Sequence, residues 1–313
     1  RRARPKAPVV YRSVREKYIA AQRQRRWYRR GMKIPAFLKR AARFWRRSKA
    51  PGRFIKRHYS NAAGTRADKV YLPARYGGQS LPLVVMLHGC KQTPDDFAEG
   101  TRMNQLADRL GFIVAYPSQA RIANFSRCWN WFSLHNQQRE QGEPSLIAGI
   151  TRELIARYGV DERRVYVAGL SAGGAMAAVM GAVYPDLYAA VGVHSGLPYA
   201  SARDAVSAVA AMRGQRLEAA PLPRVPTIVF HGDRDTTVHH RNGQYPMPDM
   251  RSESGEAGGR TYTRTIFRGT PKLEHWLVHG AGHAWCGGNP GASYADAAGP
   301  DAAREMLRFF AIA

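Results

Sequence analysis

Acidic residues are scarce in this chain: 23 Asp and Glu stand against 48 Lys and Arg in 313 residues, a formal net charge of +25. The shortage is local. Residues 1–50 hold 19 of the basic residues and a single acid, Glu16, which leaves +18 there and +7 on the other 263 residues. The basicity therefore belongs to an arm and not to the body. Cysteine is rarer still. Cys90, Cys128 and Cys286 are too few for a disulfide scaffold and show no metal-ligand spacing. Two readings of them stay open, buried free thiols or one Cys90–Cys128 bridge formed in an oxidising compartment. No run of eighteen apolar residues occurs, so nothing is expected to span a membrane. No apolar stretch follows the N-terminal arginines either, so no secretory signal is visible and the compartment stays open.

What is present suffices for a large core. With 44% hydrophobic residues, 51–313 is expected to form one α/β domain preceded by the arm, 1–50. Within the arm, Pro35 opens a pattern in which Phe37, Leu38, Ala41, Ala42 and Trp45 recur at helical spacing. Lys39, Arg40, Arg43, Arg46 and Arg47 fill the other face. Such a basic amphipathic helix suits an anionic membrane, a polymer granule or a polyanion, or else packs its aromatic stripe on the body.

The most informative stretch begins at Val165. A β-branched and aromatic run, VYV, leads into Gly169-Leu-Ser171-Ala-Gly173 and then at once into a small-residue helical pattern. Strand, sharp turn and helix in that order give a G-x-S-x-G elbow its meaning: the serine projects from a strained corner, and the glycines let the helix pack close. The N–H of Ala172 then points from the helix N-terminus toward the same spot, where it suits an oxyanion.

Around the elbow, runs at 54–59 and 67–72 suggest an antiparallel hairpin. The apolar run at 81–87 reads as a strand buried on both faces and ends in His88-Gly89-Cys90, whose Cys90 N–H is the candidate second oxyanion donor. One helix is expected over 95–110, further strands at 112–116, 188–193 and 227–230, and helices at 144–158 and 301–310. Residues 251–260 read as a glycine-rich loop between strands, and 262–267 with 273–278 as a hairpin. Aromatics in the loop at 128–132, CWNWF, suggest a substrate groove with polar Asn130 beside it. Ser195 lacks the elbow spacing and reads as a structural turn serine.

Two acids, Asp233 and Asp235, compete beyond the strand at 227–230. Asp235 is favoured because threonines follow it, and Asp233 is expected to hold the loop together. His283 lies in a glycine-flanked loop, whereas His279 sits nearer a strand and reads as structural. The order Ser171, Asp235, His283 is that of an α/β-hydrolase triad, with hydroxyl, carboxylate and imidazole suited to acyl transfer. No metal or organic cofactor is expected.

The runs LHGCKQTPDDF at 87–97, CWNWF at 128–132, GLSAGGAM at 169–176, HGDRDTTV at 231–238 and GAGHAW at 280–285 resemble the catalytic domain of the poly(3-hydroxybutyrate) depolymerase family of esterases, in its type 1 order. The resemblance spans roughly 68–310. It implies an α/β-hydrolase, a mostly parallel sheet flanked by helices, that cleaves short-chain polyhydroxyalkanoate polyesters. Ser171, Asp235 and His283 would be the triad, Cys90 an oxyanion residue, and Trp129, with Asn130 and Trp285, near the polymer. Secreted family members commonly carry a linker and a polymer-binding module after this domain; without such an anchor, amorphous granules or soluble oligomers are the expected substrates, or else the basic arm supplies adsorption. The resemblance favours an extracellular protein, with a cytoplasmic one at polymer granules as the alternative. Related feruloyl and acetylxylan esterases supply an alternative substrate class. A surface- or polyanion-binding protein, working through residues 1–50, is an alternative of another kind, with no specific nucleic acid implied.

Overall fold

A computed structural model describes residues 51–215, 221–245 and 247–313. The basic arm and its expected helix lie outside the described residues. The fold follows from hydropathy along the strands. In β3 (Leu83–Leu87) every residue is buried, with Leu83, Val85 and Leu87 facing one hydrophobic layer and Val84 and Met86 the other. The same holds for β4 (Ile113–Pro117), β5 (Val165–Leu170), β6 (Ala190–His194) and β7 (Thr227–Gly232), so helices must cover both faces.

With β10 (Leu273–Val278), these strands form a parallel block inside a ten-stranded sheet. Antiparallel pairs flank it. β1 (Arg53–Asn61) and β2 (Gly64–Leu72) extend one edge, and β8 (Arg251–Ala257) and β9 (Arg260–Phe267) the other, in the order β1-β2-β4-β3-β5-β6-β7-β10-β9-β8. The helices α1 (Pro94–Thr101), α2 (Met103–Leu110) and α6 (Ala302–Phe309) cover one face. On the other lie α3 (Gly142–Tyr158) and α4 (Ala172–Val183), and α5 (Ala205–Met212) follows β6. A short parallel pair, β11 (Trp285–Cys286) and β12 (Ala295–Asp296), stands apart.

Two expectations need correction. The segment 95–110 is two helices, broken at Arg102, whose φ is 55°. Gly100 is a weak helix former, and the Thr101 hydroxyl bonds back to the Phe97 carbonyl at 2.8 Å, so the last turn of α1 has little propensity to continue. The segment 251–260 is mostly strand and not loop. β8 is exposed and charged, as suits a sheet edge, and β9 supplies its pairing, with Arg264 on Glu253 at 2.7 Å across the strands.

The chain winds outward in opposite senses from β3, toward β4 on one side and β5 on the other. Such a reversal leaves a crevice at the carboxyl ends of the central strands. The turns after β3, β5, β7 and β10 all open toward it.

Candidate active site

Ser171 occupies the corner between β5 and α4 with φ 56° and ψ −122°, a conformation unusual for any residue but glycine. Its N–H donates to the His194 carbonyl at 2.9 Å, and its carbonyl accepts from Ala175 N–H at 2.9 Å. Neighbouring glycines make the corner possible. A Cβ on Gly173 would lie 2.0 Å from the Leu87 carbonyl oxygen, and one on Gly169 would lie 2.3 Å from the Gly173 oxygen. Helix α4 thus packs directly on the ends of β3 and β5 because no side chain intervenes.

The other two candidates arrive on loops. His283, beyond β10, places Nε2 2.9 Å from Ser171 Oγ and Nδ1 2.7 Å from Asp235 Oδ2. Asp235, beyond β7, accepts the N–H groups of Thr237 and Val238 on Oδ1 at 2.9 and 2.8 Å. Backbone amides, and not the threonine hydroxyls, fill its other oxygen. His231 Nε2 stands 3.5 Å from Oδ2 and donates to the Val238 carbonyl at 2.8 Å. Burial works to raise the Asp235 carboxyl, but hydrogen bonds from His231 and His283, the nearby imidazole charge and the Val238 amide outweigh it. They hold the carboxyl far below the usual carboxylate range. An ionised Asp235 fixes the proton of His283 on Nδ1, which leaves Nε2 as acceptor for the serine hydroxyl.

Asp233 does different work. It accepts Gly280 N–H at 2.7 Å and lies 3.0 Å from His279 Nδ1, while Arg234 N–H donates to the Ala281 carbonyl at 3.0 Å. The acid loop is thereby clamped to the histidine loop. His279 in turn reaches the Thr263 hydroxyl at 3.0 Å and takes no part at the serine. Ser195 is fully buried against His194 Nδ1.

The turn after β3 lies against the same corner, since a Cβ on Gly89 would come within 3.5 Å of Ser171 Cβ. Gln92 holds this turn, accepting Gly89 N–H at 2.9 Å. His88 braces it as well, with Nδ1 donating to the Gly89 carbonyl at 2.8 Å and Nε2 accepting Gln119 N–H at 3.0 Å. Burial pushes the His88 imidazole down to about 4, so it is neutral here. Within the described residues, the amides of Cys90 and Ala172 donate to no backbone carbonyl. Cys90 and Cys128 form a disulfide, the second of the two expected alternatives, and Cys286 is the buried free thiol. Among the described residues no three His, Cys, Asp or Glu side chains converge as metal ligands.

The three expected substrate contacts are placed elsewhere. Trp129 is fully buried beside His88, and Trp285 is buried between Phe97 and His194. Neither presents a face to a polymer. Asn130 is half-buried, and its amide and backbone N–H are spent on Glu143 at 2.7 Å each. The aromatic loop is therefore its own small core and not a groove lining; burying the indole rings is worth more than displaying them. His231 and His194 were not foreseen as neighbours of the site. Cys286 N–H donates to His194 Nε2 at 3.1 Å, which puts the imidazole proton on Nδ1, facing the Ser195 hydroxyl. Burial pushes His194 down to about 3.

A parallel sheet wound outward from its centre, with a serine corner after β5 and acid and histidine loops after β7 and β10, defines the α/β-hydrolase class. Within that class the chain belongs to the esterase PHB depolymerase family, whose model matches residues 67–247. It is 32% identical to poly(3-hydroxyalkanoate) depolymerase C of Paucimonas lemoignei over 230 residues, 64% of this chain and 54% of that protein. It is 29% identical to feruloyl esterase B of Neurospora crassa over 231 residues, 64% of this chain and 77% of the relative. The chain thus spans about half the length of the depolymerase. Among solved structures, an acetyl xylan esterase from Aspergillus awamori superposes with a TM-score of 0.67 at 21% identity, covering 84% of this chain and all of that one. That likeness concerns the fold.

Proposed function

We propose that the chain is a serine esterase that hydrolyses short-chain polyhydroxyalkanoate esters through an acyl-enzyme on Ser171. The observation that carries this reading is the 2.9 Å contact from Ser171 Oγ to His283 Nε2, continued at 2.7 Å to Asp235. His283 removes the hydroxyl proton as Oγ attacks the ester carbonyl carbon. The tetrahedral oxyanion is held by the amides of Cys90 and Ala172, each such donor being worth on the order of 10²–10³ in turnover. The imidazolium, balanced by Asp235, then protonates the leaving alkoxide. Water attacks the acyl-enzyme by the same route in reverse, with His283 as base, and frees the acid and Ser171.

The polyester assignment is supported by the family match and by the depolymerase relative. A feruloyl or acetylxylan ester is the second reading, favoured by the feruloyl esterase relative that shares 231 aligned residues. The charge of residues 1–50 supports adsorption to an anionic surface or granule. Initial rates on a hydroxybutyrate trimer and on methyl ferulate separate the two substrate classes. The proposal requires a kcat/KM for the trimer at least about tenfold above that for the ferulate, and the opposite ratio would move the enzyme to the carbohydrate esterases.

A further inference from the structure

One exposed aromatic side chain at the serine corner remains without a role in this reaction. Tyr294 is 40% exposed, and its ring meets the His283 imidazole edge to face, with centroids 6.4 Å apart. Its backbone lies at φ 53°, which is uncommon for a bulky residue and persists only where neighbours hold it. They do so on both sides. Tyr294 carbonyl accepts Trp285 N–H at 2.8 Å, and β12 begins at the next residue, with Arg260 on Asp296 at 2.7 Å. On the preceding side, Ser293 N–H donates to Asp96 at 3.0 Å, its hydroxyl reaches the same carboxylate, and its carbonyl accepts Gln92 Nε2 at 2.9 Å. Gln92 is the residue that also holds Gly89. The backbone that carries the ring is thus tied to the same frame as the turn after β3.

We infer that Tyr294 is a specificity-determining residue that packs against the alcohol portion of the ester. The inference rests on the proposed roles of Ser171 and His283. During acylation, His283 Nε2 must pass its proton to the leaving oxygen, so that oxygen comes within hydrogen-bond reach of the imidazole. Whatever the alcohol carries then runs out beside the histidine ring. The acyl portion stays bonded to the carbon under attack, next to the amides of Cys90 and Ala172. A half-exposed aromatic ring packed against His283 is therefore placed to meet the alcohol side. An extended or apolar alcohol gains contact there, and a short one does not. For an oligoester this position belongs to the hydroxyacid unit that departs.

The test compares acetate esters of ethanol and 2-phenylethanol, which share an acyl-enzyme and differ only in the alcohol. Tyr294→Ala is expected to lower kcat/KM for the 2-phenylethyl ester about tenfold, and to leave ethyl acetate within about twofold. Tyr294→Phe should retain both rates, since the ring remains. Tyr294→Asn, which removes the ring and tolerates the left-handed backbone, should match the alanine variant and guards against a folding artefact. With ethanol fixed and the acyl group lengthened to hexanoyl, the ratio of variant to wild type should not change.

Equal losses on both alcohols would make the ring a mere support for His283 and overturn the inference. So would no loss on either, or a ratio that tracks the acyl chain. The underlying reading fails separately: full ethyl acetate hydrolysis by Ser171→Ala, or wild-type protein inert to both esters and to the hydroxybutyrate trimer, would remove the reaction itself.

Discussion

Asp235 Oδ2 lies 2.7 Å from His283 Nδ1, while Asp233, two residues earlier, faces away to Gly280 N–H and His279. One short turn thus carries a carboxylate for the imidazole that meets the serine and another for the loop on which that imidazole rides. Asp235→Asn keeps the shape and removes the charge that fixes the His283 tautomer, so kcat is expected to fall by about 10³–10⁴. Asp233→Asn loosens the clamp, and is expected to lower Tm and to cost about tenfold or less in kcat. Steady-state kinetics on one soluble ester checks the order of the two effects, and a larger loss for Asp233→Asn would assign the acid wrongly.

The disulfide joins the turn after β3 to the aromatic loop. Cys90 is the residue whose amide is the proposed oxyanion donor, and Lys91 N–H next to it donates to the Ser126 carbonyl at 2.6 Å. The bridge closes a chain segment with a sequence separation of 38. Cross-links over segments of this length stabilise by about 3–4 kcal/mol when the native geometry is undistorted. The Cys90→Ala, Cys128→Ala double variant is therefore expected to melt roughly 5–10 °C lower, with activity reduced more than Tm alone explains because the proposed oxyanion donor loses its anchor. Calorimetry paired with kinetics well below both melting points separates the two effects.

Buried histidines make the fold acid-sensitive. Burial holds His88 at about 4, and His194 and His275 at about 3, against 6.5 for the free side chain. Between pH 6.5 and those values the unfolded chain binds protons that the folded chain does not, so stability is present above pH 6.5 and is lost as pH falls toward 4. Burial raises Asp68 to about 6 and also raises Glu143, and these two act in the opposite sense over part of the same range. Three imidazoles outweigh two carboxyls, and Asp235 adds to the loss below its ordinary range. Tm at pH 4.5 is expected to be at least about 5 °C below that at pH 7.5. An equal or higher Tm at pH 4.5 would contradict the neutral state of these histidines.

How far the sequence could be read depended on whether an element carries its own signal. The Ser171 corner does: a β-branched run, two glycines at fixed spacing and a small-residue helix admit few other arrangements. The buried strands do as well, through unbroken apolar runs. β8 does not, because its exposed polar residues are paired by β9 and not by any pattern of their own. Trp129 and Trp285 were misplaced for a related reason. An aromatic in a loop looks the same in sequence whether it is buried or displayed, and only the packing around His88 and His194 decides. The pairing of Cys90 with Cys128 depends on two loops meeting beyond the carboxyl ends of the adjacent parallel strands β3 and β4, which spacing cannot reveal. Tyr294 had no signal at all, since its place beside His283 is set by contacts from Asp96 and Gln92, about 200 residues away in sequence.

The most direct test of the account is hydrolysis of a hydroxybutyrate trimer, and clearing of an amorphous polyhydroxybutyrate suspension, by wild type and Ser171→Ala side by side. The account expects the variant to keep the wild-type Tm within about 2 °C and to lose activity by a factor on the order of 10⁴ or more. A folded Ser171→Ala protein that still releases hydroxybutyrate at a rate near the wild type would contradict it.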